Sequence, residues 1–450
     1  MSEGIFKLTD SQQDSINKLT AWWESDSEHI ILSGAPGTGK TFLAKYFVEN
    51  LPKAVPLFTA PTNEAVRQLE LSLGSTNATV KTTYSALGLS LSTRSFKQFI
   101  YQRQLPEDFY DYNLLIIDEA SMAGRQEEKE ANKLRLIDYV VDSGMRCIWL
   151  GDWAQLPPVD GNGGESPVFT AGWETLELTQ VKRHSGVILD FAYSLRDILG
   201  KPVRNMPAIP EGIQKVAKKN SMNFGADSFD AIVADEARIL VWTNKSTRYC
   251  PRPGVEEYNH NIRSRLFGEE LAVASTVYPS DKILFASPLF SCDKPLELSE
   301  SSLLETEFSI KASVNTRAEV LKTEPAKILG IKVWRTEVEL EGGINTVCYI
   351  PTVEGQIVKA KMEASMREQA AEATDRKEAG DIWHFYHTFR GVFAEIKHTY
   401  CITGHRAQGS TVKKVFVDTA NILQNRDRLV AFKNLYVCCT RAQEELVLFV

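Results

Sequence analysis

Long apolar runs are missing from this 450-residue chain. No stretch approaches the roughly 18 residues that a membrane-crossing helix requires, which excludes a helical membrane protein. Cysteine is scarce and dispersed. The seven, Cys147, Cys250, Cys292, Cys348, Cys401, Cys438 and Cys439, form no C-x-x-C pair. That is the usage of reduced thiols in a cytosolic protein, and it speaks against a disulfide frame or a zinc site. His384, His387 and His398 are not read as metal ligands, since no cysteine pair or acidic cluster accompanies them. A positive charge balance is also absent: 51 Lys and Arg stand against 58 Asp and Glu, a net charge of −7. Any nucleic-acid partner must therefore be gripped by a local groove, not by bulk attraction. Met1-Ser2-Glu3-Gly4 offers neither a basic nor an apolar leader, and no internal repeat is visible. The expectation is a soluble, cytoplasmic protein with no membrane partner.

What is present begins with Gly34-Ala35-Pro36-Gly37-Thr38-Gly39-Lys40-Thr41. This G-x-x-x-x-G-K-[ST] pattern follows an apolar run, Ile30-Ile31-Leu32, and opens onto a helical pattern, Phe42 to Val48. Strand, glycine-rich turn and helix are the context that a phosphate loop needs. Gly34, Pro36, Gly37, Thr38 and Gly39 would wrap backbone N–H groups around the β-phosphate at the positive end of a helix. Lys40 would reach the β- and γ-phosphates, and the Thr41 hydroxyl would take a Mg²⁺ position. The chain is thus expected to bind a nucleoside triphosphate.

Buried-strand runs at 55–58, Leu114–Ile117 and 147–150 each end in polar residues. Strand, polar tip and helix in alternation predict α/β architecture with parallel sheets, and ligands at the carboxyl ends of the strands. A helical pattern from Ser11 to Trp23, capped by Thr9 or Asp10, precedes the first strand. Asp118-Glu119 follows the 114–117 run: Asp118 would hold the Mg²⁺ shell and Glu119 would orient or deprotonate the attacking water. Gln155, at the next strand tip, would sense the γ-phosphate. A second α/β pattern starts near 176 with strand-like 238–245 and a helix around 258–267. Short β-type runs (282–286, 332–340, 345–350) and a charged helical piece (361–377) interrupt it. The parallel pattern returns at 398–403, 415–417 and 445–449. Phosphoryl transfer needs cations over the developing charge, and Arg183 and Arg441 are candidates in the second half.

The order of these stretches resembles superfamily 1 helicases, within them the RecD/Dda branch. Leu8-Thr9-Asp10-Ser11-Gln12 looks like its adenine-reading motif, with Gln12 on the base edge. Ala60-Pro61-Thr62, Asp118 to Met122, and Gly151-Asp152 through Val159 follow in the family's order. Val181-Lys182-Arg183, Thr403 to Thr411 and Tyr436 to Arg441 continue it. The resemblance implies two RecA-like motor domains, 1–85 with 113–175 and 176–271 with 391–450. It further implies a pin insertion at 86–112 and an SH3-like, β-rich insertion with a helical arm at 272–390. Arg183 and Arg441 would act as arginine fingers, with Gln408 and Gly409 also at the nucleotide. Single-stranded DNA would lie across both motors, contacted by Thr62, Thr82, Asn244, Lys245 and His405. The pin, with Tyr101 or Ile100 at its tip, would split a forked duplex. Three departures stand out: Tyr84 ends Thr82-Thr83-Tyr84 where the family usually has histidine, Arg406 replaces a common lysine, and the charged, helix-prone run Ala370–Gly380 has no match in the family.

The implied activity is ATP- and Mg²⁺-dependent, 5′-to-3′ unwinding by a monomer in phage DNA replication or recombination. Replication or single-strand-binding proteins would be further partners. Three alternatives stay open on the residues alone. A phosphate-loop enzyme without nucleic acid predicts hydrolysis indifferent to DNA. A translocase that never unwinds predicts DNA-stimulated hydrolysis without strand displacement. An RNA helicase shares the same phosphate contacts. Trp383, Phe385, Tyr386 and Phe389 read equally as DNA-facing aromatics or as the core of the insertion.

Overall fold

The computed structural model describes residues 8–74, 78–91, 99–101, 105–124, 136–157, 165–179, 186–202, 205–269, 272, 276–291, 297–299, 303 and 308–450. The chain divides into two compact units. One comprises Met1–Leu89, Tyr101–Ser221 and Ala407–Val450; the other comprises Ser90–Ile100 and Met222–Arg406.

The first unit is built on a six-stranded parallel sheet. Its spatial order is Thr79–Thr82, Pro56–Ala60, Leu114–Ile117, Arg146–Gly151, His29–Gly34, Thr175–Leu178. Successive side chains in a strand point to opposite faces, and where both faces are covered, as in His29–Gly34, Leu114–Ile117 and Arg146–Gly151, the strand interior reads as an apolar run; the outer strands Thr79–Thr82 and Thr175–Leu178 do not. One face receives Ile30, Leu32, Leu114, Ile116, Ile148 and Leu150, packed with Leu19, Trp22, Leu43 and Phe47 from helices. The other receives Ile31, Leu115, Ile117, Cys147 and Trp149, packed with Phe109 and Val140. Each fully buried Leu or Ile of this kind contributes about 1.5–3 kcal/mol of transfer free energy. Because the strands are parallel, Gly34, Ala60, Ile117 and Gly151 all end at one edge, and the loops that follow them converge there. The N-terminal helix spans Asp10–Trp23 with Thr9 as N-cap. In the same unit, Val412–Asp418, Ala442–Phe449 and Gln214–Val216 form a parallel ladder. The buried helix Arg428–Cys439 belongs to this unit too.

In the second unit, Ala237–Val241 pairs parallel with Cys401–Thr403. The 398–403 run expected as one strand is divided. Ile396–His398 pairs antiparallel with Lys282–Phe285, and the chain turns at Thr399-Tyr400 before the parallel piece begins. The β-rich insertion is a five-stranded sheet ordered Ile344–Pro351, Ile331–Leu340, Arg317–Ile328, Lys282–Phe285, Ile396–His398. The sequence reading overlooked its longest strand, Arg317–Ile328. Pro325 reads as a breaker and the Arg, Lys and Glu residues obscure alternation, yet Pro325 sits opposite Trp334 within the ladder. The helical arm is two helices, Val353–Glu372 and Arg376–Gly391, packed together. Of its aromatics, Phe389 and Tyr386 are buried among Ile331, Val333, Met366 and Phe393, while Trp383 stays 40% exposed. The expected pin region contributes a two-stranded pair, Leu89–Leu91 with Phe99–Tyr101. No helix among the described residues is long and apolar enough to cross a membrane.

Candidate nucleotide site

The phosphate loop leaves the strand His29–Gly34 and ends at the helix Lys40–Glu49. Gly37 and Gly39 sit at φ +82° and +86°, a region that a Cβ makes costly. Gly39 is the N-cap and supplies no side-chain cap, so the first-turn N–H groups face outward for an anion. Lys40 Nζ donates to Gly34 O at 2.6 Å and Ala35 O at 3.2 Å, which draws the ammonium over the loop. Thr38 Oγ1 donates to Ala35 O at 2.8 Å and closes the turn. Gln12 is buried, and its Oε1 accepts from Thr9 N in the capping box. Its Nε2 lies 3.1 Å from where a Cβ on Gly39 would be, so this glutamine abuts the loop.

At the neighbouring strand end, Thr41 Oγ1 is 3.4 Å from Asp118 Oδ2, and Asp118 Oδ1 accepts from Glu119 N at 2.8 Å. A hydroxyl and a carboxylate oxygen side by side are hard donors of the kind that suit Mg²⁺. Glu119 occupies the left-handed region at φ 54°. For a residue with a side chain this costs on the order of 1–3 kcal/mol, and such strain clusters at functional positions. Burial pushes the Asp118 carboxyl up, opposed by the Lys40 charge. Burial, with repulsion from Asp118, raises Glu119 to about 7, opposed by Arg441 and Lys40. One carboxyl of the pair is thereby set to exchange a proton near neutral pH.

Residues from the far end of the sequence complete the cluster. Gln408 Nε2 donates to Gln155 Oε1 at 3.2 Å, and lies 3.4 Å from both Ser121 Oγ and Leu156 O. A Cβ on Gly409 would stand 3.8 Å from Glu119 Oε1 and 3.5 Å from the Ala65 Cβ, so the loop passes close to the carboxyl. Arg441 is buried. Its Nε donates to Val437 O at 3.1 Å, its Nη1 to Ser410 O at 3.2 Å and its Nη2 to Thr440 Oγ1 at 3.0 Å. Burial lowers its pKa, and the Glu119 charge opposes that lowering most strongly.

A second buried network lies at the same edge. Asp152, fully buried, accepts from Tyr436 O–H at 2.6 Å and lies 3.3 Å from Arg196 Nε. Lys433 Nζ donates to Trp153 O at 2.7 Å. The helix carrying Tyr436 leads directly into Arg441, so the network ties Arg441's helix to the loop that bears Gln155. The sequence reading assigned no role to Ser121, Asp152, Arg196, Lys433 or Tyr436. Asp152 and Tyr436 lay inside quoted stretches, whereas Arg196 sits on a helix with no motif around it.

The remaining expected residues stand at strand ends. Thr62 and Thr82 are helix N-caps, accepting from Ala65 N at 3.2 Å and Ser85 N at 3.1 Å, which leaves each hydroxyl proton to donate. Ala60 pairs with Thr82, so the two caps share an edge. In the other unit, exposed Asn244 and Lys245 follow Ala237–Val241, and half-buried His405 follows Cys401–Thr403. Tyr101 lies on the strand Phe99–Tyr101. Arg183 falls outside the described residues.

A phosphate loop on an interior strand of a parallel sheet, with a hydroxyl–carboxylate pair beside it, defines the class: a P-loop nucleoside-triphosphate-binding protein. The family described as AAA domain matches residues 7–197, and the UvrD-like helicase C-terminal domain matches residues 398–449. The chain is 24% identical to the ATP-dependent DNA helicase dda of Enterobacteria phage T4, over 98% of each chain. It is 29% identical to the ATP-dependent DNA helicase PIF1 of Homo sapiens, over 35% of this chain and 25% of that one. Among solved structures it is similar to the Pif1 helicase from Bacteroides in complex with ADP-AlF3 and ssDNA. That match has a TM-score of 0.48 and 14% identity, covering 98% of this chain and 92% of the other. Nearly the whole chain is thus similar to the phage helicase, and its two ends to the two family descriptions.

Proposed function

We propose that this protein is an ATP-dependent DNA helicase that moves along single-stranded DNA, 5′ to 3′, and displaces the complementary strand. The observation that carries the reading is the arrival, at a strand tip near the phosphate loop, of a residue 253 positions later in the chain. Gln408 bonds Gln155, and the Arg441 charge acts on Glu119. A nucleotide site completed by late-sequence residues suits a motor that couples hydrolysis to movement, not a simple phosphotransferase.

In this reading Lys40 exchanges the carbonyls of Gly34 and Ala35 for β- and γ-phosphate oxygens, and the loop N–H groups hold the β-phosphate. Gln12 reads the adenine edge. Thr41 and Asp118 hold Mg²⁺, which when bound neutralises charge on the phosphate oxygens. Glu119 accepts the proton of the attacking water. Gln155 orients that water or senses the γ-phosphate through its bond to Gln408. Arg441, with Arg183, stabilises the charge that develops on the transferred phosphoryl group. Thr62 and Thr82 in one unit, and Asn244, Lys245 and His405 in the other, take the phosphates of the strand. Tyr101 belongs to the pin that meets the fork. The motor domains are 1–85 with 113–175 and 176–271 with 391–450; the protein works as a monomer in the cytoplasm.

Two measurements test this. Unwinding should occur on a duplex with a 5′ single-stranded tail and fail on one with a 3′ tail. Activity on the 3′-tailed substrate alone would reverse the polarity, and DNA-stimulated hydrolysis with no displacement on either would leave a translocase. The second is the pH profile. Glu119 must be ionised to take a proton, and its carboxyl is raised to about 7. ATP turnover at limiting ATP should therefore rise with pH and level off above an inflection near neutrality. A rate flat from about pH 6 to about pH 8 would remove Glu119 from the role of base.

A further inference from the structure

The helical arm carries a groove that neither the nucleotide site nor the expected DNA contacts use. Its two helices, Val353–Glu372 and Arg376–Gly391, pack together, and Met366, Tyr386 and Phe389 join them to Ile331 and Val333 of the β-rich sheet. Between the helices opens a groove of about 810 Å³. Met362 and Met366 line it from the first helix, one turn apart, and Ile382 and Phe385 line it from the second. Met362, Ile382 and Phe385 are only partly buried: each packs on the core beneath and shows the rest of its surface to the groove. Both helices therefore turn apolar residues of helical spacing toward one channel. Two such helices form the receiving half of helix-in-groove packing, in which a third helix lays its own apolar stripe between them. Methionine suits such a floor, because its flexible thioether adapts to the side chain that arrives.

The rim selects the occupant. Asp375, Lys377, Glu378 and Asp381 line the groove beside the apolar floor, three acids against one base. Asp375 is committed to the helix N-cap, where its Oδ1 accepts from Lys377 N at 3.2 Å. Glu378, in the first turn, also suits the helix dipole, whereas Asp381 lies beyond that turn and has no such role. Glu378 and Asp381 are exposed, and among the described residues neither forms an ion pair. Elsewhere in the arm the charges are matched internally. Glu363 pairs with Lys359 at 2.7 Å and Arg390 at 3.5 Å, and Arg390 pairs with Glu395 at 2.7 Å. The two groove acids are left for a cation from outside.

We propose that this groove docks an amphipathic helix of a partner protein. The helix lays its apolar face on Met362, Met366, Ile382 and Phe385 and sets Lys or Arg residues at its edge against Glu378 and Asp381. An acidic helix of the same apolar pattern meets repulsion at that rim. The arm is then a recruiting element that uses none of the residues assigned to the nucleotide or to DNA.

The test is fluorescence anisotropy of the full chain with two fluorescein-labelled peptides of about 18 residues, roughly five helical turns. Both carry leucine at heptad a and d positions; one has lysine and the other glutamate at the flanking positions. The lysine peptide should bind at least about tenfold more tightly than the glutamate peptide. In E378K/D381K the preference should reverse, with about a tenfold loss for the lysine peptide, as two rim contacts turn from attraction to repulsion. Because the whole chain is acidic, E49K/D142K is the control. It changes the net charge equally at exposed positions of the other unit, and should keep the wild-type preference. Thermal unfolding reports whether each variant is folded. Should E378K/D381K unfold, E378Q/D381N decides, with about a threefold loss expected from neutralising the rim. Equal binding of the two peptides by the wild type, binding of neither, or equal losses in E378K/D381K and E49K/D142K would overturn the docking groove. A dimer in sedimentation that E378K/D381K dissociates would make a second copy the occupant and overturn the partner.

Discussion

Glu119→Gln is expected to lower DNA-stimulated ATP hydrolysis by about 10²–10⁴-fold, the range for loss of a positioned general base, while leaving nucleotide binding intact. The substitution preserves shape, so the left-handed backbone at φ 54° and the contact with Gly409 are retained. Asp118 keeps its bond from the residue-119 N–H, because that donor is backbone. What disappears is a proton acceptor. Stability should move in the opposite direction to activity. Glu119's carboxyl is raised in the fold from 4.5 to about 7 by burial and by Asp118. The native state therefore favours the protonated form. Its stabilising contribution is complete below pH 4.5, shrinks as pH rises towards 7, and is lost above that. Glutamine does not titrate. The variant should thus match the wild type's melting temperature in acid and equal or exceed it above neutral pH. Thermal melts at two pH values, with turnover measured on the same preparation, check both halves. Full turnover by folded Glu119→Gln would sink the site assignment.

Arg441→Ala is the second large effect, with an expected loss of about 10³–10⁵-fold in turnover at saturating single-stranded DNA, the range measured for arginine fingers. The guanidinium has five N–H donors. Three are engaged by Val437 O, Ser410 O and Thr440 Oγ1, and in the proposed role the other two would meet the phosphate. The engaged donors hold the group in place, and in the proposed role the remaining pair would act on developing charge. Alanine removes both functions and strips Ser410 O of its guanidinium partner, at a cost on the order of 1–3 kcal/mol, while Val437 O keeps the Thr440 hydroxyl. Arg441→Lys is the discriminating companion. It restores a charge without the planar fork, so it should fold more stably than the alanine variant yet recover only a small part of the rate. Binding of a fluorescent ADP analogue to both variants should remain near wild type. Arg441→Lys turning over like the wild type would show that a point charge suffices and that the fork has no special role.

Much of this site was legible in the chain before folding, for an identifiable reason. The phosphate loop, Asp118-Glu119 and the strand tips are local: each is a short run whose backbone geometry, charge and neighbours lie within about ten residues of one another. The four inner strands of the six-stranded sheet were equally visible, because strands buried on both faces leave apolar runs, whereas the outer strands Thr79–Thr82 and Thr175–Leu178 were not read. Elements with one wet face were harder to read. Arg317–Ile328 was missed because its exposed side carries the charges that mask alternation. The helical arm was read as one charged piece because its break, at Ala373-Thr374, carries neither glycine nor proline. The aromatics of the second arm helix could not be sorted by spacing. Phe389 and Tyr386 are core only because another helix and two strands arrive from elsewhere in the chain.

The sequence by itself determined the local capacities of this chain: a glycine-rich turn opening a helix with Lys40 and Thr41 at its start, and two adjacent carboxylates, Asp118 and Glu119, at a strand tip. Those capacities follow from residue type and short spacing. Tertiary structure alone decided which distant groups attend that chemistry. Gln408 on Gln155, Tyr436 on Asp152 and the Arg441 charge acting on Glu119 join residues separated by some 250–320 positions. So does the proton affinity of Glu119, which depends on how completely the fold removes it from water and sets it against Asp118. Burial and long-range proximity are properties of packing, and no local pattern in the chain encodes them.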